Sequence, residues 1–228
     1  MPGGLPRARL PPIEDDHGSC CFDGWADYYS KRARKKGTAS SVTRSLLEEI
    51  SSAGLEGRSV LDVGCGVGDL ALATVDGGAA RATGIDLSGE AIREARRLAL
   101  DRGTADRVSF SVGDGATAMV EPHDVVVLNR VFCCYPDVDR LLDNSLAAAR
   151  SVYALTTPPS TGLGGAVARL QTALANAWYR LRRTKFGDFR VFVHDVARID
   201  ARARDAGFRL ATGATRRLVW HLAVYVRD

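Results

Sequence analysis

Residues 60–69 read Val-Leu-Asp-Val-Gly-Cys-Gly-Val-Gly-Asp, and few folds accommodate such a segment. Val60, Leu61 and Val63 give an apolar strand signal that carries an acid, Asp62, near its end. The strand runs into three glycines spaced by single residues, Gly64, Gly66 and Gly68, and a helix opens from Leu70 onward. Glycine lacks Cβ, so the loop can take positive φ and let a ligand press on bare backbone. Because a helix follows, its first N–H groups point at whatever sits there. The pattern predicts a nucleotide-type site at the carboxyl end of a parallel strand.

Spacing narrows the ligand. A dinucleotide fingerprint, Gly-x-Gly-x-x-Gly, would place its third glycine at position 69, which is Asp69. Asp62 and Asp69 suit a pyrophosphate poorly, whereas they suit a ligand with a cationic sulfur and a cationic amine. The segment resembles motif I of class I S-adenosylmethionine-dependent methyltransferases: an apolar strand, an acid, one residue, then Gly-x-Gly-x-Gly. The resemblance implies a Rossmann-like seven-stranded α/β sheet with helices on both faces, with S-adenosylmethionine as cofactor.

The rest of the chain alternates in the same sense. Strands are expected at Ser59–Val63, Ala82–Asp86, Val108–Val112, Asp124–Leu128 and Val152–Thr156. Between them fall helices from Asp69, from Ser88 (a good N-cap) and over Val138–Ala149. Strand–helix repetition implies a parallel sheet with right-handed crossovers. A helix at 195–206 and strands at Phe208–Thr215 and Leu218–Val226 close the chain, an antiparallel pair that also matches the methyltransferase sheet. Residues 1–19, rich in Pro, Gly and charge, read as a disordered tail, and 20–228 as one domain. Within it, 20–54 form a helical cap, with Phe22, Trp25, Tyr28 and Tyr29 at helical spacing, a basic run Lys31–Lys36 and a second helix over Thr38–Ala53. Residues 158–190 form a lid insertion whose Leu163, Val167, Leu170, Leu174, Trp178 and Leu181 mark an amphipathic helix among Arg169, Arg180, Arg182, Arg183 and Lys185. Such a stripe ordinarily packs on a core.

The candidate cofactor residues lie at strand ends. Asp62, Gly64, Cys65, Gly66 and Gly68 form the first loop. Asp86, beside Leu87, stands 22 positions after Gly64, the spacing of an acid that accepts from ribose hydroxyls. A carboxylate matches a vicinal diol because both hydroxyls can donate to it. The family resemblance implies that Asp114, between Gly113 and Gly115, meets the adenine amino group, and that Asn129 and Arg130 flank the methionine moiety.

Methyl transfer asks the protein to align an acceptor and exclude water, and a base is needed only where the acceptor must lose a proton. His194 and Tyr29 are the candidate catalytic side chains. A narrower resemblance, to magnesium-protoporphyrin O-methyltransferases, rests on Trp25-Ala-Asp-Tyr-Tyr29-Ser30, on Leu55 through Gly66, on Cys134-Tyr135-Pro136 and on the Thr-Pro-Pro exit from the fifth strand. The family has His-Tyr-Pro where this chain has Cys134-Tyr135-Pro136. That family esterifies a porphyrin propionate, and Arg183 and Lys185 would suit an anionic, flat substrate.

Composition bounds the alternatives. The chain has 228 residues and a net charge of +4, too mild to imply nucleic acid by itself. An RNA methyltransferase is disfavoured further because Asn129-Arg130-Val131-Phe132 stands where base-amino methyltransferases carry Asn/Asp-Pro-Pro-Tyr/Phe. No apolar run reaches membrane-spanning length and the N-terminus shows no apolar leader core, so a cytoplasmic protein is expected. Five cysteines, Cys20, Cys21, Cys65, Cys133 and Cys134, form no disulfide framework and read as core thiols rather than metal ligands. The partner expected is a small-molecule acceptor, with peripheral membrane contact through the basic lid helix left open. A non-catalytic binding protein is the remaining reading.

Overall fold

Apolar residues alternate between two faces of a single sheet, and that alternation organises the molecule. The computed structural model describes residues 40–182, 189–216 and 219–227. In chain order the elements are α1 (Ser41–Ser52), β1 (Ser59–Val63), α2 (Asp69–Asp76), β2 (Arg81–Asp86), α3 (Gly89–Asp101), β3 (Val108–Val112) and β4 (His123–Asn129). A 3-10 turn (Phe132–Cys134) follows, then α4 (Val138–Ala147), β5 (Ala149–Thr157), α5 (Gly162–Leu181), α6 (Val196–Asp205), β6 (Arg209–Arg216) and β7 (Trp220–Val226). The seven strands form one mixed sheet in the order β3-β2-β1-β4-β5-β7-β6. β1 to β5 run parallel, and β7 lies antiparallel between β5 and β6. This is the expected seven-stranded Rossmann-like α/β fold.

Val60, Val125, Val127 and Val152 pack on one face with Leu46 and Ile50 of α1, Leu72 of α2 and Ile92 of α3. Leu61, Val126, Leu128 and Tyr153 pack on the other with Leu141 and Leu142 of α4 and Ile199 of α6. A strand covered on both faces reads as a continuous apolar run, as β4 does. Strand order reverses between β1 and β4, and in open α/β sheets that switch opens a crevice at the carboxyl ends.

Element boundaries depart from the sequence reading by small amounts with local causes. α1 begins at Ser41 rather than Thr38 because the Ser40 hydroxyl accepts from the Thr43 amide and caps the helix there. α4 stops at Ala147, and β5 begins at Ala149 through its pairing with His123 of β4. The larger difference concerns α5. Its inward side is Gly164, Gly165 and Ala168, while its leucines face solvent instead of packing on a core. The aromatic cap helix, the basic run Lys31–Lys36, Tyr29, Cys20, Cys21, Arg183 and Lys185 lie outside the described residues.

Candidate active site

A cavity of about 350 Å³ opens where β1 and β4 diverge. The loop after β1 forms its floor. The amides of Gly64 and Cys65 both donate to the Ile85 carbonyl (2.8 and 3.0 Å), which ties the loop to β2. Gly64 has φ +70°, and a Cβ there would sit 2.5 Å from Val131 Cγ2, so the chain beyond β4 closes against bare backbone. Gly66 has φ +55°, and nothing lies within 4 Å of where its Cβ would be. A side chain at 66 would therefore project into open space at the cavity wall. Gly68 differs: a Cβ there would meet Phe110 Cζ at 2.8 Å, and the residue is not part of the cavity lining, so it serves close packing.

Two acids stand behind this floor. Asp86, ending β2, accepts from the Gly66 amide at Oδ2 (2.8 Å) and from the Ser88 amide at Oδ1 (2.9 Å). This carboxylate also lines the cavity. Asp62 is 1% exposed and accepts from the Ala71 amide of α2 (3.2 Å). Burial pushes its carboxyl up to about 8; the Ala71 hydrogen bond pulls it down, and the charges of Asp86 and Asp69 push it up further. A cation placed beside it would reverse that shift. Cys65 is a buried thiol held well above its ordinary range by burial, then by Asp62 and Asp86. Its sulfur lies over Gly84, where a Cβ would be 2.8 Å away.

Asn129, at the end of β4, donates from Nδ2 to Thr43 Oγ1 (3.0 Å) and accepts at Oδ1 from the Thr156 hydroxyl (2.8 Å). It thus joins α1, β4 and β5 at the cavity rim. Arg130 is the one non-glycine residue with positive φ (64°) among the described residues, and its amide donates to Thr156 Oγ1 (2.9 Å). Such backbone costs roughly 1 kcal/mol or more and clusters at functional sites. Asn129, Arg130 and Leu87 all line the cavity.

Asp114 is placed differently from the sequence expectation. Gly113 and Gly115 line the cavity, but Asp114 does not. The Tyr135 hydroxyl lies within hydrogen-bond reach of both its oxygens (2.8 and 2.9 Å), and the Ala116 amide donates to Oδ1 (2.9 Å). Burial, and then Asp114, push the Tyr135 phenol up to about 12, so it remains the donor. His194 is likewise engaged: Nε2 donates to the Tyr135 carbonyl (2.9 Å), its ring stacks on Phe192, and it is not part of the cavity lining. Cys134 lines the cavity, with its sulfur 3.5 Å from that of Cys133.

The lining from α1, α5 and the segment beyond α5 is the part that sequence reasoning missed. Ser40 and Thr43 enter from the start of α1, Tyr179 from α5, and Phe189 and Val191 from the segment beyond it. Tyr179 and Phe189 meet edge to face, with ring centroids 4.8 Å apart. The Asn176 amide brackets Val191, donating to its carbonyl (2.9 Å) and accepting from its N–H (2.8 Å). The Ser40 cap was the one readable signal; nothing local in the sequence joins Tyr179 to Val191.

Comparison with known proteins finds the same fold. Residues 60–152 match the family model of a methyltransferase domain. The magnesium protoporphyrin IX methyltransferase of Synechocystis PCC 6803, solved with bound S-adenosylhomocysteine, superposes with TM-score 0.70 at 23% identity, covering 91% of this chain and 96% of that one. The same protein was also solved with bound S-adenosylmethionine. An O-methyltransferase family protein from Burkholderia thailandensis superposes with TM-score 0.64 at 18% identity, over 89% of this chain and 59% of that one. Among curated relatives, the ribosomal protein L11 methyltransferase of Enterobacter sp. (strain 638) is 39% identical over 94 residues, 41% of this chain. The matched stretch spans about a third of that relative's length (32%). Residues 60–152 therefore resemble a methyltransferase domain, and the chain shares its fold with a protein solved with S-adenosylhomocysteine and with S-adenosylmethionine bound.

Proposed function

We propose that the chain is an S-adenosylmethionine-dependent methyltransferase that passes the methyl group in line to an oxygen nucleophile of a small molecule. The observation that carries this reading is the two-sided cavity. One wall offers loop backbone, the open space at Gly66 and two acids; the other offers aromatic and apolar side chains from separate segments. The donor set fits the cofactor. Asp86 brings to the cavity a carboxylate of the kind a diol donates to, Gly66 leaves room for close approach, and Asp62 with Asp69 supplies negative charge toward a cation.

When bound, the cofactor supplies an activated methyl on a cationic sulfur. The chain's own residues then bind and orient. The Gly64–Gly66 backbone fixes depth, Asp86 sets rotation about the ribose, and Tyr179 with Phe189 forms a wall that excludes water from the acceptor side. Asn129 and Arg130 hold the rim between them. Asp114 reaches an adenine amino group only by sharing its carboxylate with the Tyr135 hydroxyl.

A carboxyl acceptor of the magnesium-protoporphyrin type is the second reading, and one observation favours it. His194 is turned to the Tyr135 carbonyl and stands off the cavity lining, which leaves no histidine there among the described residues. A carboxylate is already ionised at neutral pH and needs no base. The match to L11 methyltransferase is partial, covering 41% of this chain and 32% of that relative.

Calorimetric titration with S-adenosylmethionine and with a nicotinamide dinucleotide tests the first step: binding of the first and not the second is expected, and the reverse would overturn it. Transfer of labelled methyl to a panel of carboxylic acids, phenols and free amines then tests the atom. Ester or ether formation is expected; labelled amines alone would exclude an oxygen nucleophile.

A further inference from the structure

Helix α5 turns its largest apolar side chains away from the protein. Leu163, Leu170, Leu174, Trp178 and Leu181 are between 43% and 83% exposed, and they are five of the nine exposed large apolar residues among those described. At roughly 100° per residue they fall within an arc of about 80°, one stripe along a helix of about 30 Å. Single exposed leucines need no explanation, but a stripe of this length does.

Charge identifies what covers it. Gly162–Leu181 contains no acid. Arg180 lies to one side of the stripe, with Arg169 further round the same side donating to the Ser160 carbonyl (2.7 Å), and Arg182 lies on the other side, its guanidinium over the Trp178 ring (5.6 Å). A second copy laid on this face would bring arginines against arginines with no acid on the helix to pair them. No helix among the described residues is long and apolar enough to cross a membrane. An apolar stripe edged by cations, on a helix that does not span, has the composition of one lying in the plane of an anionic bilayer.

We infer that α5 is an interfacial helix that lays Leu163, Leu170, Leu174 and Leu181 onto an anionic lipid surface. Tyr179, on its inward side, lines the cavity together with Phe189 and Val191. Docking therefore sets the acceptor wall at the bilayer, and the acceptor is an amphipathic molecule taken from the lipid phase. This last step rests on the methyl-transfer reading of the cavity.

The full chain is mixed with vesicles of phosphatidylcholine alone or with phosphatidylglycerol added, and the bound fraction is read by co-sedimentation at low and high salt. Binding to the anionic vesicles, weakened by salt, is expected. The double variant Leu170→Glu/Leu174→Glu should lose it by roughly tenfold or more while binding S-adenosylmethionine as the native chain does. No binding of the native chain to anionic vesicles, or equal binding by the double variant, overturns the inference. A native dimer that the double variant makes monomeric, without vesicle binding, gives the face to a second copy. Vesicle binding without S-adenosylmethionine binding leaves the docking helix standing and removes the amphipathic acceptor along with the methyl-transfer reading.

Discussion

The two walls of the cavity are built by different means. The floor is backbone: Gly64 and Cys65 pinned to the Ile85 carbonyl, Gly66 held by Asp86, and a buried acid behind them. The other wall is side chain: Ser40, Thr43, Tyr179, Phe189 and Val191, drawn from three separate segments. Backbone geometry is set by φ and by neighbouring strands, so it tolerates little change. Side-chain walls accept substitution wherever volume is kept. The difference suits a fixed cofactor on one side and a selectable acceptor on the other.

The largest break on the floor is expected from Asp86→Ala. It removes the acceptor for a diol and also frees the Gly66 and Ser88 amides that the carboxylate holds. Hydrogen bonds to a charged group are worth about 1.5–3 kcal/mol each, so affinity for S-adenosylmethionine should fall roughly 100-fold or more by calorimetry. An unchanged dissociation constant would remove the ribose assignment.

Next comes the pH dependence of that affinity. The Asp62 carboxyl is raised to about 8 in the folded protein, so near neutral pH the free site holds a proton that a nearby cation would expel. Binding then releases protons, and affinity should climb with pH by up to about tenfold per unit, levelling off above about 8. Calorimetry in buffers of different ionisation enthalpy counts the released proton, and zero release would place the cation elsewhere. For folding alone the sign is opposite. The native state holds this proton more tightly than the unfolded chain, so the group's contribution to stability falls as pH rises through the same range.

The glycine pair separates the two functions of the loop. Gly66→Ala adds a methyl group where nothing lies within 4 Å, so beyond the roughly 1 kcal/mol cost of alanine at φ +55° the protein should stay folded while cofactor affinity drops about tenfold. Gly64→Ala sets a methyl group 2.5 Å from Val131 at positive φ, so its effect should be on stability, with the melting temperature down by roughly 5 °C or more. If Gly66→Ala binds normally, the open space beside it is not ligand space.

How much of this was legible follows the same division. The strand–loop–helix of Val60–Leu70, Asp86 at the next strand end and the closing strand pair were readable because each is a local pattern with one geometric solution. Asp114 was found at its turn, but its capture by Tyr135, 21 residues away, depends on how the 3-10 turn packs. The stripe on α5 was readable as a stripe and not as exposed, since periodicity fixes which residues share a face but not what that face meets. Tyr179 and Phe189 had no local signature because their contact is made only when α5 folds back over the switch point.

The smallest effect is expected at His194, one of the two side chains the sequence offered as catalytic candidates. His194→Gln keeps a donor for the Tyr135 carbonyl and leaves the cavity lining intact, so the rate of methyl transfer should change less than about threefold in single-turnover assays. A positioned general base contributes roughly 100-fold or more. A loss of that size, with a pH–rate profile that flattens in the variant, would bring His194 into the chemistry and count against a carboxylate acceptor. Retention of the rate leaves the acceptor wall as a shaping surface, with proton transfer no part of what the histidine does.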